Sequence, residues 1–356
     1  MVNSKNRDII RQIRFSDLDV NNNFFDSLRA DYPNFDNWFE NHADSPAFII
    51  NNQTELKAFI YVKQEAGEPI DLSAGESMDG TARFKIGTFK INSTGTILGD
   101  KMLSYVLRRM VEGGSNAEEV YVTVFAEKQE KLVRLFERFG FIYQGKKENG
   151  ESVYVKRFKQ LVGEPYKDFP MVNLTGTQRI FNLGIYPEFH DLFFSEGHSM
   201  NEVTKVADEA VSNTVTKTYL NMMHSMDELG ISKGDILTVY RTGGNYAGVI
   251  TSVATVVDYK RISDFATFDE YKKFIGAGTV FTDQQITNFW KTKKFPFMVK
   301  FVYDYSVSIP RPNLDWLRKN LKIEPEPYWG FFELNKQQFS QIIGKGGDRD
   351  GRFVIY

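Results

Sequence analysis

Residues 93–114 read STGTILGDKMLSYVLRRMVEGG. Leu98, Met102, Tyr105, Val106 and Met110 recur at helical spacing, which predicts a helix with one buried face. The strand ARFKIGTFKI, residues 82–91, feeds it through a loop holding Gly95 and Gly99. That strand alternates apolar and polar residues, as a half-covered sheet requires. A helix N-terminus carries unpaired amides and the positive end of a dipole, and glycine lets a bulky anion approach the backbone. The segment therefore reads either as an anion-binding loop or as a plain strand-to-helix turn with two glycines.

Upstream, residues 8–15 have strand character, and helices are expected at about 22–28 and 35–42, separated by Pro33. Short strands at 47–50 and 56–62 flank the polar turn NNQT. Residues 64–80 are acidic and contain glycine, which predicts an exposed loop. Downstream, VYVTVF (120–125) predicts a strand. AEKQEKLVRLFERFGF (126–141) predicts a helix with the stripe Leu132, Leu135, Phe136 and Phe139, closed by Gly140. YVKRF (154–158) predicts the last strand of this half.

This order resembles that of the GNAT acetyltransferases over about residues 8–158. The family's pyrophosphate loop is written [QR]-x-x-G-x-[GA], and in a common variant R-G-x-x-[IL]-G. This chain offers Thr94, Gly95, Leu98 and Gly99 against the variant, lacking the basic residue. The second signature, N-x-x-A-x-x-L-Y-x-x-x-G-F, meets Gln129, Leu132, Leu135, Phe136, Gly140 and Phe141. Phe136 replaces a tyrosine that serves relatives as general acid, and a phenyl ring donates no proton. The resemblance implies acetyl-CoA as co-substrate. Its pyrophosphate would lie on Gly95, Thr96, Ile97, Leu98, Gly99 and Asp100, and its pantetheine against Phe89, Lys90, Ile91 and Gln129. No carboxylate announces itself as base; Glu127 is a weak candidate that also reads as a solvated surface residue.

The 356 residues suffice for two domains. Forty-four Lys and Arg stand against 46 Asp and Glu, so bulk charge favours no nucleic-acid role and any basic surface must be local. There is no cysteine, which removes thiolate metal sites, disulfides and a cysteine nucleophile. Four histidines, His42, His190, His198 and His224, form no HExxH-type pair, so no metal is expected. The polar start MVNSKNRDII predicts no secretory leader, and no run approaches the roughly 20 apolar residues of a membrane helix. A cytoplasmic setting is expected. Aromatics reach 15%, which suits large cores and, alternatively, a stacking surface.

The chain near residues 159–175, through QLVGEPYKDFPMVNLTG (160–176), reads as a boundary. Beyond it, ILTVYR (236–241), residues 246–260, FPFMVKFVYDY (295–305) and 353–356 read as strands. Helices are expected at 263–274, 283–294 and 312–321, and Asn335 is placed to cap a last one. Gly184–His190 (GIYPEFH), Thr216–Leu220 (TKTYL), and Lys233–Leu237 (KGDIL) with Tyr240 and Arg241 resemble the PUA-like group of small barrels, particularly its ASCH type. The Gly-x-Lys-x-x-Glu-x-Arg signature of many ASCH proteins is absent. The resemblance implies a pocket for RNA or a modified nucleotide, and Tyr186, Phe189, His190, Lys217, Tyr219, Tyr240 and Arg241 are the residue types such a pocket needs. His190 and His198 lack a third ligand at metal-site spacing.

The expected architecture is α/β (α+β). Residues 1–160 form a mixed sheet flanked by helices, 161–178 a linker, and 179–356 a PUA-like small β-barrel with helices. The implied activity is bacterial, acetyl-CoA-dependent N-acetyl transfer to an amine, with RNA or a nucleotide-like ligand recruited by the second domain. The alternative is a catalytically inactive GNAT-fold regulator or antitoxin-like binder of nucleic acid or protein.

Overall fold

The computed structural model describes residues 9–51, 55–92, 97–194, 214–323 and 327–356. The chain divides into two compact units, Met1–Val106 with Ser115–Phe158 and Leu107–Gly114 with Lys159–Tyr356. The fold is mixed α/β.

The first unit contains β1 (Ile9–Arg14), β2 (Pro46–Asn51), β3 (Leu56–Glu65), β4 (Ile70–Asp71), β5 (Ser77–Met78), β6 (Arg83–Ile91), β7 (Glu119–Val124), β8 (Ile142–Lys146) and β9 (Ser152–Arg157). Its helices are α1 (Asp26–Asp31), α2 (Phe35–Asn41), the part of α3 (Leu98–Glu112) up to Val106, and α4 (Glu130–Arg138). Seven strands form one sheet in the order β1-β2-β3-β6-β7-β9-β8. Within it, β6 and β7 run parallel and every other neighbouring pair antiparallel.

Much of this unit's aromatic content is core. Phe15, buried, meets Phe39 at 4.9 Å and Phe59 at 5.3 Å between ring centroids, and Phe25 joins them. The expected α3 forms with its apolar stripe buried at Leu98, Met102, Val106 and Met110. α4 is shorter than expected: residues 126–128 make a turn, in which Lys128 N–H donates to the Phe125 carbonyl, before the helix starts at Glu130. Gly140 follows the helix with φ of 84°, which no side chain adopts cheaply.

Two features differ from the sequence reading. Residues 64–80 are not simply an exposed loop: β4 and β5 pair, and Ile70 and Leu72 pack against Tyr121 and Val153. The acidic composition hid those apolar side chains. An unexpected strand, β8, also pairs with β9 across the turn KENG (147–150).

The second unit holds β10 (Val172–Asn173), β11 (Ile180–Ile185), β12 (Thr216–Asn221), β13 (Ile236–Arg241), β14 (Val249–Arg261), β15 (Phe297–Ser306), β16 (Phe331–Leu334) and β17 (Val354–Ile355). Among its helices are α5 (Pro165–Asp168) and α6 (Pro187–Phe193). Asn335 caps the helix Lys336–Lys345, accepting from Gln338 N–H at 2.8 Å. Six strands pair in the order β12-β15-β14-β13-β11-β16. Instead of the expected small barrel, the sheet stays open; among the described residues no pair joins β12 to β16. The reason is its packing. Ile236 and Tyr240 enter one core with Tyr305 and Phe353, while Leu237 and Val239 enter another with Phe181 and Phe301. With a separate core on each face, the sheet is a central layer between them.

Candidate active site

The site of the first unit begins where two parallel strands part. β6 and β7 pair from Arg83↔Glu119 to Ile86↔Val122 and no further. At that point β6 is bulged: Val62 faces Ile86 and Tyr61 faces Thr88, leaving Gly87 extra. A Cβ on Gly87 would stand 2.8 Å from the Tyr61 ring, so glycine permits the bulge beneath a packed tyrosine. Beyond it, β6 stays bonded to β3 on one edge and β7 to β9 on the other. Among the described residues, the two edges facing each other have no ladder partner. Between them lies a cleft of about 400 Å³, lined by Gly87, Thr88 and Phe89 from β6 and by Val122, Thr123 and Val124 from β7. Unpaired strand edges are hydrogen-bonding templates for an extended ligand.

Charged groups line the same cleft. Lys85 lies on β6, its ammonium 5.3 Å from the Tyr121 ring centroid. Burial, the leading cause, lowers its pKa from the ordinary lysine value. Glu151, 8% exposed, follows the β8–β9 turn and also lines the cleft. It accepts hydrogen bonds from the Tyr32 hydroxyl at 3.0 Å and the Asn149 amide at 2.9 Å. Burial and the neighbouring Glu151 push the Tyr32 phenol well up, so it stays protonated. Nearby, Glu65 accepts from Tyr121 at 2.7 Å and pairs with Lys63 at 2.8 Å. Burial opposes ionisation of Glu65, but the bonds from Lys63 and Tyr121 prevail and lower its pKa.

A groove of about 830 Å³ shares Phe89, Gln129 and Leu132 with the cleft. Of the residues expected to hold the cofactor, Phe89, Lys90, Ile91, Gly99, Asp100 and Gln129 line it. Leu98 is instead buried in the core, Ile97 is half-buried, and Thr94, Gly95 and Thr96 lie outside the described residues. Gly99 is buried, and a Cβ there would come within 3.0 Å of Ile91 and Leu135 methyl carbons. This glycine thus lets the first turn of α3 pack tightly. Lys90, Lys128, Lys131, Arg134 and Arg138 bring positive charge to the groove. Lys128 pairs with Asp31 at 2.8 Å and Arg138 with Asp100 at 2.6 Å.

Glu127 lines the groove with its side chain 90% exposed, 3.4 Å from Lys146. Phe136 is fully buried, its ring 5.0 Å from Phe141 and 6.0 Å from Phe89, and lines neither cavity. Sequence reasoning missed Lys85, Glu151 and Tyr32. The available signal was the turn KENGES, whose Asn149 and Gly150 mark a hairpin that carries Glu151 back to the sheet.

In the second unit, Tyr219 and Tyr240 belong to separate cores. Lys217 is fully buried, its ammonium 5.2 Å from the Phe194 ring centroid. Phe189 packs 5.2 Å from Phe281. His190, also fully buried, joins Thr251 at 2.7 Å and Asp191 at 3.0 Å, and Asp191 takes two bonds from Arg241 at 2.8 and 3.0 Å. Burial would raise the Asp191 carboxyl, but His190 and the Arg241 guanidinium hold it well below the usual range. Only Tyr186 of the seven is strongly exposed, at 55%, and it lies near Tyr328, whose phenol it pushes up in pKa. His198 lies outside the described residues. Among the described residues, no helix is long and apolar enough to cross a membrane, and no three His, Asp or Glu gather as metal ligands.

No family model matches the chain, and no curated protein matches it. Solved structures similar to parts of it fall into two kinds. An ASCH protein from Zymomonas mobilis has a TM-score of 0.30 and 11% identity, covering 47% of this chain and 96% of its own. A GNAT-family acetyltransferase from Streptococcus agalactiae 2603 has a TM-score of 0.30 and 14% identity, covering 42% and 96%. AtaTR, solved with AcCoA bound, has a TM-score of 0.29 and 14% identity, covering 41% and 91%. Acetyltransferases form one set of neighbours and the ASCH protein the other, each over less than half of this chain.

Proposed function

We propose that the first unit is an acetyl-CoA-dependent N-acetyltransferase acting on an amine. The observation that carries this reading is the parting of β6 and β7, which leaves two unpaired strand edges around a cleft continuous in its lining with a cation-flanked groove. A donor with an amide arm and phosphates suits both features. The free β6 edge at Gly87–Ile91 pairs with the arm's amides, while Lys90, Lys131 and Arg134 attract the phosphates. Acetyl-CoA supplies a thioester carbonyl carbon to which the amine nitrogen bonds as the C–S bond breaks. Holding the two reactants together in the cleft contributes up to about 7–11 kcal/mol.

The test is calorimetric titration of acetyl-CoA into the full-length protein. Micromolar binding is expected, weakened at least about tenfold when exposed Lys131 and Arg134 are both changed to glutamate, since a charge-assisted bond contributes roughly 1.5–3 kcal/mol. No heat from the folded protein at high acetyl-CoA overturns the reading.

Recruitment of RNA or a nucleotide-like ligand by the second unit is the finer part of the proposal. The exposed, neighbouring Tyr186 and Tyr328 support it. A base stacked on such a ring gains about 1–3 kcal/mol, so Tyr186→Ala is expected to weaken single-stranded RNA binding by that amount. Unchanged affinity in a fluorescence-anisotropy titration removes this surface from consideration.

A further inference from the structure

The cleft holds opposite charges that do not satisfy each other. Among the described residues, no carboxylate lies within ion-pair reach of the Lys85 ammonium, and no cation within reach of the Glu151 carboxylate. Of the charges that act on Lys85, Glu65 is paired with Lys63, Lys63 and Lys147 repel it, and Glu151 attracts it across the cleft without forming an ion pair. A charge withdrawn from water is costly until something pairs with it. Glu151 has neutral donors, Tyr32 and Asn149, but no countercharge. Both side chains line one cavity, whose volume of about 400 Å³ suits a small molecule beside the end of an acyl donor.

We propose that the acceptor is a small zwitterion of the amino-acid class, its carboxylate held by Lys85 and its ammonium by Glu151. This rests on the acetyltransferase reading and specifies its substrate. Glu151 takes one proton from the ammonium and passes it to solvent, freeing a lone pair for attack. The second proton leaves nitrogen as the C–S bond breaks and ends on the departing thiolate. The Tyr32 hydroxyl and the Asn149 amide orient the carboxylate that does this. Lys85 takes no part in proton transfer; it selects acceptors that carry an anion.

The experiment measures free-thiol release at saturating acetyl-CoA with a panel of α-amino acids and the amides of the same amino acids. At least one acid is expected to be acetylated, with kcat/KM at least about tenfold above its amide, the discrimination one charge-assisted contact supplies. Lys85→Met raises KM for that acid by a similar factor, leaves kcat nearly unchanged and removes the preference over the amide. Glu151→Gln lowers kcat about 100-fold or more. Both variants retain wild-type acetyl-CoA affinity by calorimetry, which shows that they are folded. Amides turned over as well as acids, or a preference that survives Lys85→Met, overturns the proposal. So does a protein that binds acetyl-CoA but acetylates no amino acid, an outcome that leaves the acetyltransferase reading standing. A protein that binds no acetyl-CoA fails at that earlier reading instead.

Discussion

Replacing Glu119 by alanine is expected to destabilise the first unit by about 3–5 kcal/mol, a fall in melting temperature on the order of 10 °C. Glu119 opens β7 and is 6% exposed. One carboxylate oxygen lies 3.1 Å from Nε of Arg83, the other 3.1 Å from Nε of Arg157. Arg83 is 1% exposed; it also donates to the Asp79 carbonyl and lies 5.9 Å from the Tyr121 ring centroid. The Arg83–Glu119 contact is ionic without an aligned hydrogen bond, so its worth lies in charge neutralisation. Removing the carboxylate strands a guanidinium in the sheet. The three residues sit on neighbouring strands at paired positions, Arg83↔Glu119↔Arg157. They lie at the start of the short parallel ladder whose far end opens into the cleft. A double variant, Glu119→Leu with Arg83→Met, is expected to recover most of the loss, because the two buried charges go together and Arg157, which also loses its partner, is one-third exposed to water. A melting curve for Glu119→Ala that overlays the wild type refutes this account.

Phe136→Ala is expected to cost about 3–5 kcal/mol in a urea denaturation series. The ring is fully buried on α4 and packs against Phe141 from the segment after the helix and Phe89 from β6. Its removal leaves a cavity at the junction that holds α4 to the sheet beside the groove. Phe136→Leu, which conserves most of the volume, is expected to cost less, about 1–2 kcal/mol. Equal and small losses for both variants would show that the site collapses around the smaller side chain. That outcome would remove the argument that this position serves the first unit by packing.

Much of the first unit is legible because its signals are local. The stripe from Leu98 to Met110 needs only 3.6-residue periodicity to be read, and Gly140 only the left-handed conformation that ends a helix. The strand 236–241 and the Asn335 cap are equally local. The candidate groove was partly legible for the same reason: residues at the end of one strand, the start of the next helix and the start of α4 are brought together by a strand–helix crossover. Charged residues were read less well. Lys85 in a strand and Glu151 after a turn look solvated in one dimension, and the apolar side chains of Ile70 and Leu72 were hidden by acidic neighbours.

The second unit shows the complementary limit. Tyr219 and Tyr240 have the chemistry of a ligand pocket, yet they lie in two separate cores of one sheet. Residue type is independent of which face a strand turns to which layer. Most of the elements and the mixed α/β class follow from the residues alone, because propensity, periodicity and composition act within a few residues. That β6 and β7 part at Ile86, that Gly87 bulges under Tyr61, and that Lys85 and Glu151 line one cleft are visible in the folded chain alone. Those facts depend on register between strands distant in the chain, and register is fixed by packing across the sheet.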